Sequence, residues 1–191
     1  MKTVAESILS GEAAANAQPA PQPALTRAAI EAADADLLLV SLVSRGSVDL
    51  LSPVSTRPGA VTWISSDGVS VSLRDGMVVA TRASGFDLMG ADTDAARRSL
   101  TTGGGSHSRR YDVLTGLDQI ETDTYQCDMA FDKAETITIV ERDFATRKFR
   151  ETCENDRVNF TNLYWVTSNG QIVQTRQFVS IGLGYLVYQR L

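Results

Sequence analysis

The feature that most constrains the fold is a pair of Asp-Gly dipeptides, Asp67-Gly68 and Asp75-Gly76. Asp-Gly readily adopts the positive φ angles that a tight hairpin turn requires. Between the two turns, in residues 69–74, valine and leucine alternate with serine and arginine. A period of two places the apolar set on one face of a sheet and the polar set on the other. Residues 60–82 are therefore predicted to form a three-stranded antiparallel meander with one face in solvent.

Similar short β-type segments, separated mostly by turns, follow along the chain to residue 189. Two of them, 119–131 and 135–143, are predicted as separate strands, and the glycine-rich stretch Thr101–Ser106 is predicted to be an irregular, mobile loop. No alternation of strands with long helices is present. We therefore expect a mainly β fold, an antiparallel β-barrel or sandwich of about ten strands with short N-terminal helices.

The beginning of the chain has a different character. Residues 1–23 are predicted to form a short amphipathic helix and a proline-rich tether, because three prolines fall between residues 19 and 23. Residues 24–191 are long enough for one substantial core and are predicted to form a single barrel-like domain. Within it a second helix is expected from Leu25 to Ala33, with Thr26 as its N-cap and Ile30 pointing inward.

The charge balance limits the classes of partner. A net charge of −5 argues against nucleic acid or an anionic membrane as the main partner, since both favour basic surfaces. The arginine pairs Arg97-Arg98 and Arg109-Arg110 are expected to be solvated surface charge. No apolar run approaches the roughly 20 residues that span a bilayer, and no secretory signal is present.

A search for catalytic residues finds little. His107 is the only histidine and is expected in an exposed loop, and no nucleophile motif surrounds it. Gly103 to Ser106 lacks the lysine and the helix of a phosphate-binding loop. The acidic residues Asp87, Asp92 and Asp94 cluster in one loop region, so a polysaccharide hydrolase that uses loop carboxylates is kept as an alternative. No cofactor or metal is expected.

The two cysteines, Cys127 and Cys153, both fall in predicted strands. They can pair across neighbouring strands, pair between packed sheets, or remain two buried free thiols. The residues alone do not decide between these three alternatives. Two isolated cysteines and one distant histidine do not have the spacing of a zinc site.

Several ordered segments resemble the YjbF/GfcB family of exopolysaccharide-linked lipoproteins. The resemblance runs from about residue 24 to the end of the chain. It rests on two groups of motifs, one before and one after the middle of the sequence. These motifs are Val61–Ser65, Ser72–Arg82, Gly85–Met89, Asn162–Val166, Val173–Gln177 and Gly184–Leu186.

This resemblance implies an antiparallel β-barrel-like fold and a periplasmic protein that is lipid-anchored to the outer membrane. The expected role is that of a non-enzymatic accessory protein in exopolysaccharide or capsule production or export. Its expected partners are other exopolysaccharide secretion proteins, with the polysaccharide itself as a further candidate. Family members carry a lipid-modified cysteine at the end of an export signal, whereas this chain has no cysteine before Cys127. We interpret the sequence as a soluble form that begins after the anchor.

The resemblance also bears on individual residues. An oxidising compartment favours a disulfide between Cys127 and Cys153. No catalytic motif is carried over from the family. The residues expected to form a ligand or partner surface combine aromatic, arginine and polar side chains of the matching segments. They are Trp63, Arg82, Asp87, Trp165, Arg176 and Gln177.

Overall fold

The computed structural model describes residues 25–57, 59–117 and 119–191. The helix and tether predicted for residues 1–23 lie outside this part of the chain. The described elements are α1 (Arg27–Ala33), β1 (Leu38–Leu42), a short 3₁₀ helix (Val43–Arg45), β2 (Ser47–Arg57), β3 (Ala60–Ile64), β4 (Ser70–Arg74), β5 (Met77–Arg82), β6 (Leu88–Asp92), α2 (Asp94–Thr102), β7 (Gly104–Leu114), β8 (Ile120–Ile139), β9 (Arg142–Glu154), β10 (Asn159–Val166), β11 (Ile172–Ser180) and β12 (Gly184–Arg190).

The twelve strands of the described residues belong to one antiparallel sheet in the order β5-β4-β3-β2-β1-β12-β11-β10-β9-β8-β7-β6. The two end strands, β5 and β6, are consecutive in the chain, and the sheet curls into a nearly closed barrel. The predicted mainly β, antiparallel barrel is confirmed, but the part of the chain that the structure describes has twelve strands rather than about ten. Strand β6 is not predicted, because Gly90 interrupts its short apolar run. The segments 119–131 and 135–143 are not separate strands. They form the single strand β8, which passes through a bulge between Phe131 and Lys133.

Side chains close the seam between β5 and β6. The guanidinium of Arg82 donates to the backbone carbonyls of Leu88, at 3.0 Å, and Met89, at 3.3 Å. The hydroxyl of Thr81 accepts from the backbone N–H of Leu88 at 3.0 Å and donates to the carboxylate of Asp87 at 2.8 Å. The seam therefore depends on side-chain bonds where a fully closed barrel would have a ladder of backbone bonds.

The predicted meander is confirmed, since β3 pairs with β4 and β4 with β5. Val71 and Leu73 are buried, as the alternation requires. The second turn has positive φ at both Asp75 and Gly76. In the first turn only Gly68 has a positive φ, and a longer loop is closed by a bond from Ser65 N–H to the Val69 carbonyl.

Helix α1 has the predicted cap. The hydroxyl of Thr26 accepts from the backbone N–H of Ala29 at 3.2 Å, and Ile30 is buried. The guanidinium of Arg27 donates to the carbonyls of Ile139 and Val140, at the tip of the β8–β9 hairpin. These bonds fix α1 against that hairpin.

The prediction of an irregular loop over Thr101–Ser106 is wrong. Helix α2 continues to Thr102 and strand β7 begins at Gly104. A side chain at Gly104 would place its Cβ 2.8 Å from the carbonyl oxygen of Met129, so glycine here allows the two backbones to approach closely. The glycines therefore serve a strand pairing instead of a mobile loop.

Consecutive antiparallel connections alternate between the two ends of the barrel. We call one end the α2 rim; it carries α2, the β4–β5 turn and the β10–β11 turn at residues 167–171. We call the other end the loop rim; it carries the connections at residues 83–87, 115–119 and 181–183. In the part of the chain that the structure describes, no helix is long and apolar enough to cross a bilayer.

The turn glycines give a test of the packing at the α2 rim. A Cβ at Gly76 would lie 2.8 Å from the Cβ of Ile172 and 3.0 Å from the Tyr188 hydroxyl, whereas a Cβ at Gly68 meets nothing within 4 Å. Both positions have positive φ, so alanine strains the backbone at each. We expect Gly76→Ala to cost about 1–3 kcal/mol more than Gly68→Ala in urea unfolding, because only the first overpacks the core. Equal losses of unfolding free energy in the two variants would contradict the close packing at Gly76.

Candidate functional site

The barrel interior contains a cluster of charged and polar side chains centred on Glu151. Alternation along the strands directs them inward from β7 (His107 and Arg109), β9 (Glu151) and β10 (Asn162 and Tyr164). Glu151 lies directly opposite Asn162 in the β9–β10 register. The side chains of Arg109 and Glu151 are 0% exposed, so this is a charge pair deep in the barrel.

Both oxygens of the Glu151 carboxylate are engaged. Oε2 accepts hydrogen bonds from Arg109 Nη1 at 2.7 Å, from the Tyr164 hydroxyl at 2.7 Å and from Asn162 Nδ2 at 2.8 Å. Oε1 lies 2.7 Å from His107 Nε2. Four neighbours on two strands, β7 and β10, therefore converge on one carboxylate of a third strand, β9.

These contacts decide the protonation state of the carboxylate. Burial by itself raises the pKa of Glu151, but the charge of Arg109 and the hydrogen bonds from His107, Asn162 and Tyr164 outweigh it and hold the pKa at about 2. Burial, together with the nearby carboxylate, raises the pKa of the Tyr164 hydroxyl well above its ordinary value. Glu151 is therefore a carboxylate, and Tyr164 a neutral donor to it, at neutral pH.

The cluster is poorly suited to acid–base chemistry. A general acid or base works best with a pKa near the working pH, and Glu151 is far from that value. The ligand atoms of His107, Cys127 and Glu151 lie within 4.8 Å of one another, which is close enough to suggest a metal site. The sulfur of Cys127 is bonded to Cys153, however, and a metal would need the free thiolate.

The disulfide between Cys127 and Cys153 is confirmed. The two residues are directly opposite each other on β8 and β9, and both are buried. Of the readings that the residues left open, pairing across neighbouring strands is the one that occurs. In the chain-entropy view, closing a loop of 26 residues adds about 3–4 kcal/mol of stability.

Three expectations about side-chain exposure are wrong. Arg97 is predicted to be solvated surface charge, but it is half-buried and its Nη1 is shielded from solvent. His107 lies in strand β7 instead of an exposed loop, and its side chain is 4% exposed. Arg109 was expected at the surface with Arg110, but only Arg110 is exposed, because neighbouring residues of a strand point to opposite faces. The guanidinium of Arg109 also lies over the ring of Tyr111, 5.2 Å from its centroid.

The six residues predicted as a ligand surface do not lie on one surface. Trp63 and Gln177 are buried, with 2% and 1% exposure, and the Gln177 side chain accepts from the backbone N–H of Val78 at 3.1 Å. Asp87 is buried in the β5–β6 connection, and Arg82 closes the seam beside it.

The other two members of that set lie at separate places. The indole N–H of Trp165 donates to Glu135 at 2.8 Å, and Lys148 lies over the ring. The guanidinium of Arg176 stacks on Tyr185, 3.3 Å from the ring centroid. Most of these side chains therefore have partners within the protein.

Of the loop carboxylates in the hydrolase alternative, Asp87 lies apart from Asp92 and Asp94. Asp87 accepts bonds from Thr81 and Ser84 inside the β5–β6 connection. Asp94 is exposed at the start of α2 and lies 3.7 Å from Arg74. Asp92 caps the same region by accepting from the backbone N–H of Asp94. Asp87 thus serves a buried turn, while the other two lie at the surface around the start of a helix.

Sequence reasoning missed Glu151, Arg109 and Asn162 as a unit. The sequence contains one signal for these residues, which is their position. Each lies at a strand position that the alternation points inward, and the neighbouring inward positions of that strand are aromatic or apolar. A charged residue at such a position is uncommon and requires a buried partner. Which residue is the partner depends on the strand order, and the alternation does not specify that order.

The buried carboxylate gives a test by stability. Replacing Glu151 with glutamine leaves Arg109 charged and buried without its anion, so we expect a loss of about 3–5 kcal/mol in unfolding free energy at neutral pH. The matched control is Glu154→Gln, on the exposed face of the same strand, where we expect a change within about 0.5 kcal/mol.

Comparison of wild type with Glu151→Gln also tests how the stabilisation by Glu151 depends on pH. As pH falls below the ordinary pKa of 4.5, the unfolded chain takes up a proton that folded Glu151 binds only near pH 2. The stabilisation is therefore complete above about pH 4.5 and is lost as pH falls toward 2. The difference between wild type and Glu151→Gln should shrink by up to about 3 kcal/mol over this window in urea titrations. A constant difference would contradict the low pKa.

Comparison with known proteins identifies the fold and the family. The chain is similar to the crystal structure of the hypothetical lipoprotein YmcC from Escherichia coli K12, with a TM-score of 0.74 and 19% identity over 86% of this chain and 87% of that one. At this identity the likeness concerns the fold. No curated protein matches the chain. The family model described as group 4 capsule polysaccharide lipoprotein gfcB, YjbF matches residues 3–191. The chain therefore belongs to the YjbF family of capsule polysaccharide lipoproteins.

Proposed function

We propose that this protein acts by binding, as a non-enzymatic accessory protein in the production or export of capsule polysaccharide. It works in the periplasm, held to the outer membrane by a lipid anchor, and its partners are other secretion proteins of the same process. Membership of a capsule polysaccharide lipoprotein family supports the process and the attachment to the envelope. The proposal that the protein binds rather than catalyses is supported by the interior carboxylate of Glu151, which is buried and ionised.

That carboxylate is the observation that carries the proposal. Glu151 belongs to the one described group that brings a carboxylate, a histidine and a tyrosine together, as acid–base catalysis requires. Every oxygen of this carboxylate has a partner, its pKa is about 2, and it is 0% exposed. The group therefore fits a structural role, in which it holds β7, β9 and β10 in register, and does not fit proton transfer to a substrate.

The placement of Asp87 supports the same conclusion. A glycosidase needs two carboxyl groups that flank the scissile bond, one of them available as an acid. Asp87 is 7% exposed and its Oδ1 accepts bonds from the Thr81 hydroxyl and the Ser84 N–H. It is a turn-forming residue and cannot also reach a bound polymer.

The test of function combines genetics with chemistry. In a strain that lacks the gene, we expect the amount of surface polysaccharide to fall, and we expect complementation by wild type and by Asp92→Asn/Asp94→Asn to restore it equally. Purified protein incubated with the polysaccharide of the same organism should release no new reducing ends. Unchanged polysaccharide in the deletion strain would contradict a role in the process.

The hydrolase alternative predicts the opposite outcome. Reducing ends would appear with wild type and would disappear with Asp92→Asn/Asp94→Asn, and the double variant would also fail to complement. Asp87→Asn is less informative, because loss of that carboxylate weakens the β5–β6 seam. A matched surface control is Asp128→Asn, an exposed acidic residue on β8.

A further inference from the structure

A cavity of about 420 Å³ opens at the α2 rim, where the β4–β5 turn, α2, the β10–β11 turn and the end of β12 meet. This size suits one sugar ring with its substituents. Its floor is apolar, formed in part by Val61, Leu73 and Ile172, and polar side chains stand around it. An apolar floor with a few polar groups around it is the usual composition of a small-molecule site.

Two arginines give this cavity a positive charge. Arg97 donates through Nη2 to the Gly170 carbonyl at 2.9 Å, and its Nη1 is buried without a hydrogen-bond partner among the described residues. Arg190 lies over the Trp63 ring, 5.5 Å from its centroid, and pairs with no carboxylate in the described part of the chain. The lining contains one acidic residue, Asp75. Guanidinium groups that line a cavity and have no carboxylate partner favour an anionic ligand.

A second cavity of about 180 Å³ shares two of its walls, Arg97 and Gly170, with the first. It adds a third arginine, Arg147, whose guanidinium lies over the rings of Phe149, at 5.0 Å, and Phe131, at 5.3 Å. Among the described residues, its lining includes no acidic side chain. The two cavities are therefore neighbours on the α2 rim, and their linings together contain three arginines.

The cavity at the opposite end of the barrel provides a contrast. It measures about 390 Å³ at the loop rim, and its cation is Arg157. That guanidinium is already neutralised by Glu121, at 2.5 Å, and by Asp123. Of these two cavities, the one at the α2 rim therefore offers a ligand the larger positive charge, although the whole chain carries a net charge of −5.

We propose that the two cavities at the α2 rim, which we call the arginine groove, bind a short stretch of acidic polysaccharide. The carboxylate of one sugar pairs with Arg97 and Arg190, its ring lies on the apolar floor, and the next sugar extends past Gly170 toward Arg147. The inference rests on the proposed function, since the polymer class comes from the capsule polysaccharide family. It adds the place of binding and the acidic character of the ligand.

The test measures binding of defined oligosaccharides by calorimetry and by NMR shifts at low salt. The probes are a trisaccharide of galacturonic acid, a neutral glucose trisaccharide of equal length, and inorganic phosphate. We expect the acidic trisaccharide to bind at least tenfold more tightly than the neutral one, and added salt to weaken this binding. Phosphate alone should bind weakly, because it makes no contact with the apolar floor.

The variants separate the groove from general charge. Arg190→Gln should weaken binding of the acidic trisaccharide at least tenfold, and Arg147→Gln should weaken it by a smaller factor. The matched control is Arg98→Gln, next to Arg97 but on the exposed side of α2, which should leave affinity unchanged. Thermal unfolding of each variant verifies the fold. Arg190 makes no ion pair within the described residues, so we expect little loss of stability from its replacement.

Several results would overturn this inference. Equal affinity for acidic and neutral trisaccharides would exclude recognition of charge, and phosphate binding without trisaccharide binding would exclude a sugar site. Equal losses in Arg190→Gln and Arg98→Gln would place the ligand elsewhere. If no acidic trisaccharide binds while the deletion strain still loses surface polysaccharide, the arginine groove is wrong and the accessory role stands.

Discussion

The pairing of Arg109 with Glu151 inside the barrel is the constraint on which much of the structure depends. Burying a charge costs free energy unless a partner charge and hydrogen bonds offset it. Arg109 Nη1 has Glu151 and Tyr164 as partners, although its Nε and Nη2 have none among the described residues. Here the 2.7 Å contact links β7 to β9, and Asn162 and Tyr164 bring in β10. A strand displaced from its position would leave a charge unpaired in an apolar interior, so the network selects one arrangement of these strands.

The other half of the barrel is stabilised by a different kind of interaction. Around β1 to β5 the interior is apolar and includes Trp63, Val71 and Leu73, and packing holds the sheet together. The wall opens where β5 meets β6, and Arg82 and Thr81 bridge it with side-chain donors and acceptors. One half of the molecule is thus fixed by specific polar contacts and the other by hydrophobic burial, and the seam joins the two.

Local patterns predicted local structure well and long-range structure poorly. The Asp75-Gly76 turn, the Thr26 cap and the meander depend on residues close in sequence, and they are found as predicted. The turn at Val140 and Glu141 joins β8 to β9 with positive φ at two residues that rarely adopt it, so no turn signal marked it. The Glu151 cluster was also missed, because it assembles only when distant strands become neighbours. For the same reason the arginine groove combines residues 97, 147 and 190, which share no motif.

The disulfide has a consequence for how the barrel assembles. Cys127 and Cys153 sit opposite each other on β8 and β9, two residues along β9 from Glu151. Sliding β9 by a single position would turn its inward side chains to the outside and expose Glu151 to water. A covalent bond between the two strands forbids that slide. The disulfide therefore excludes the shifted pairing of the hairpin and keeps Glu151 on the face where Arg109 lies.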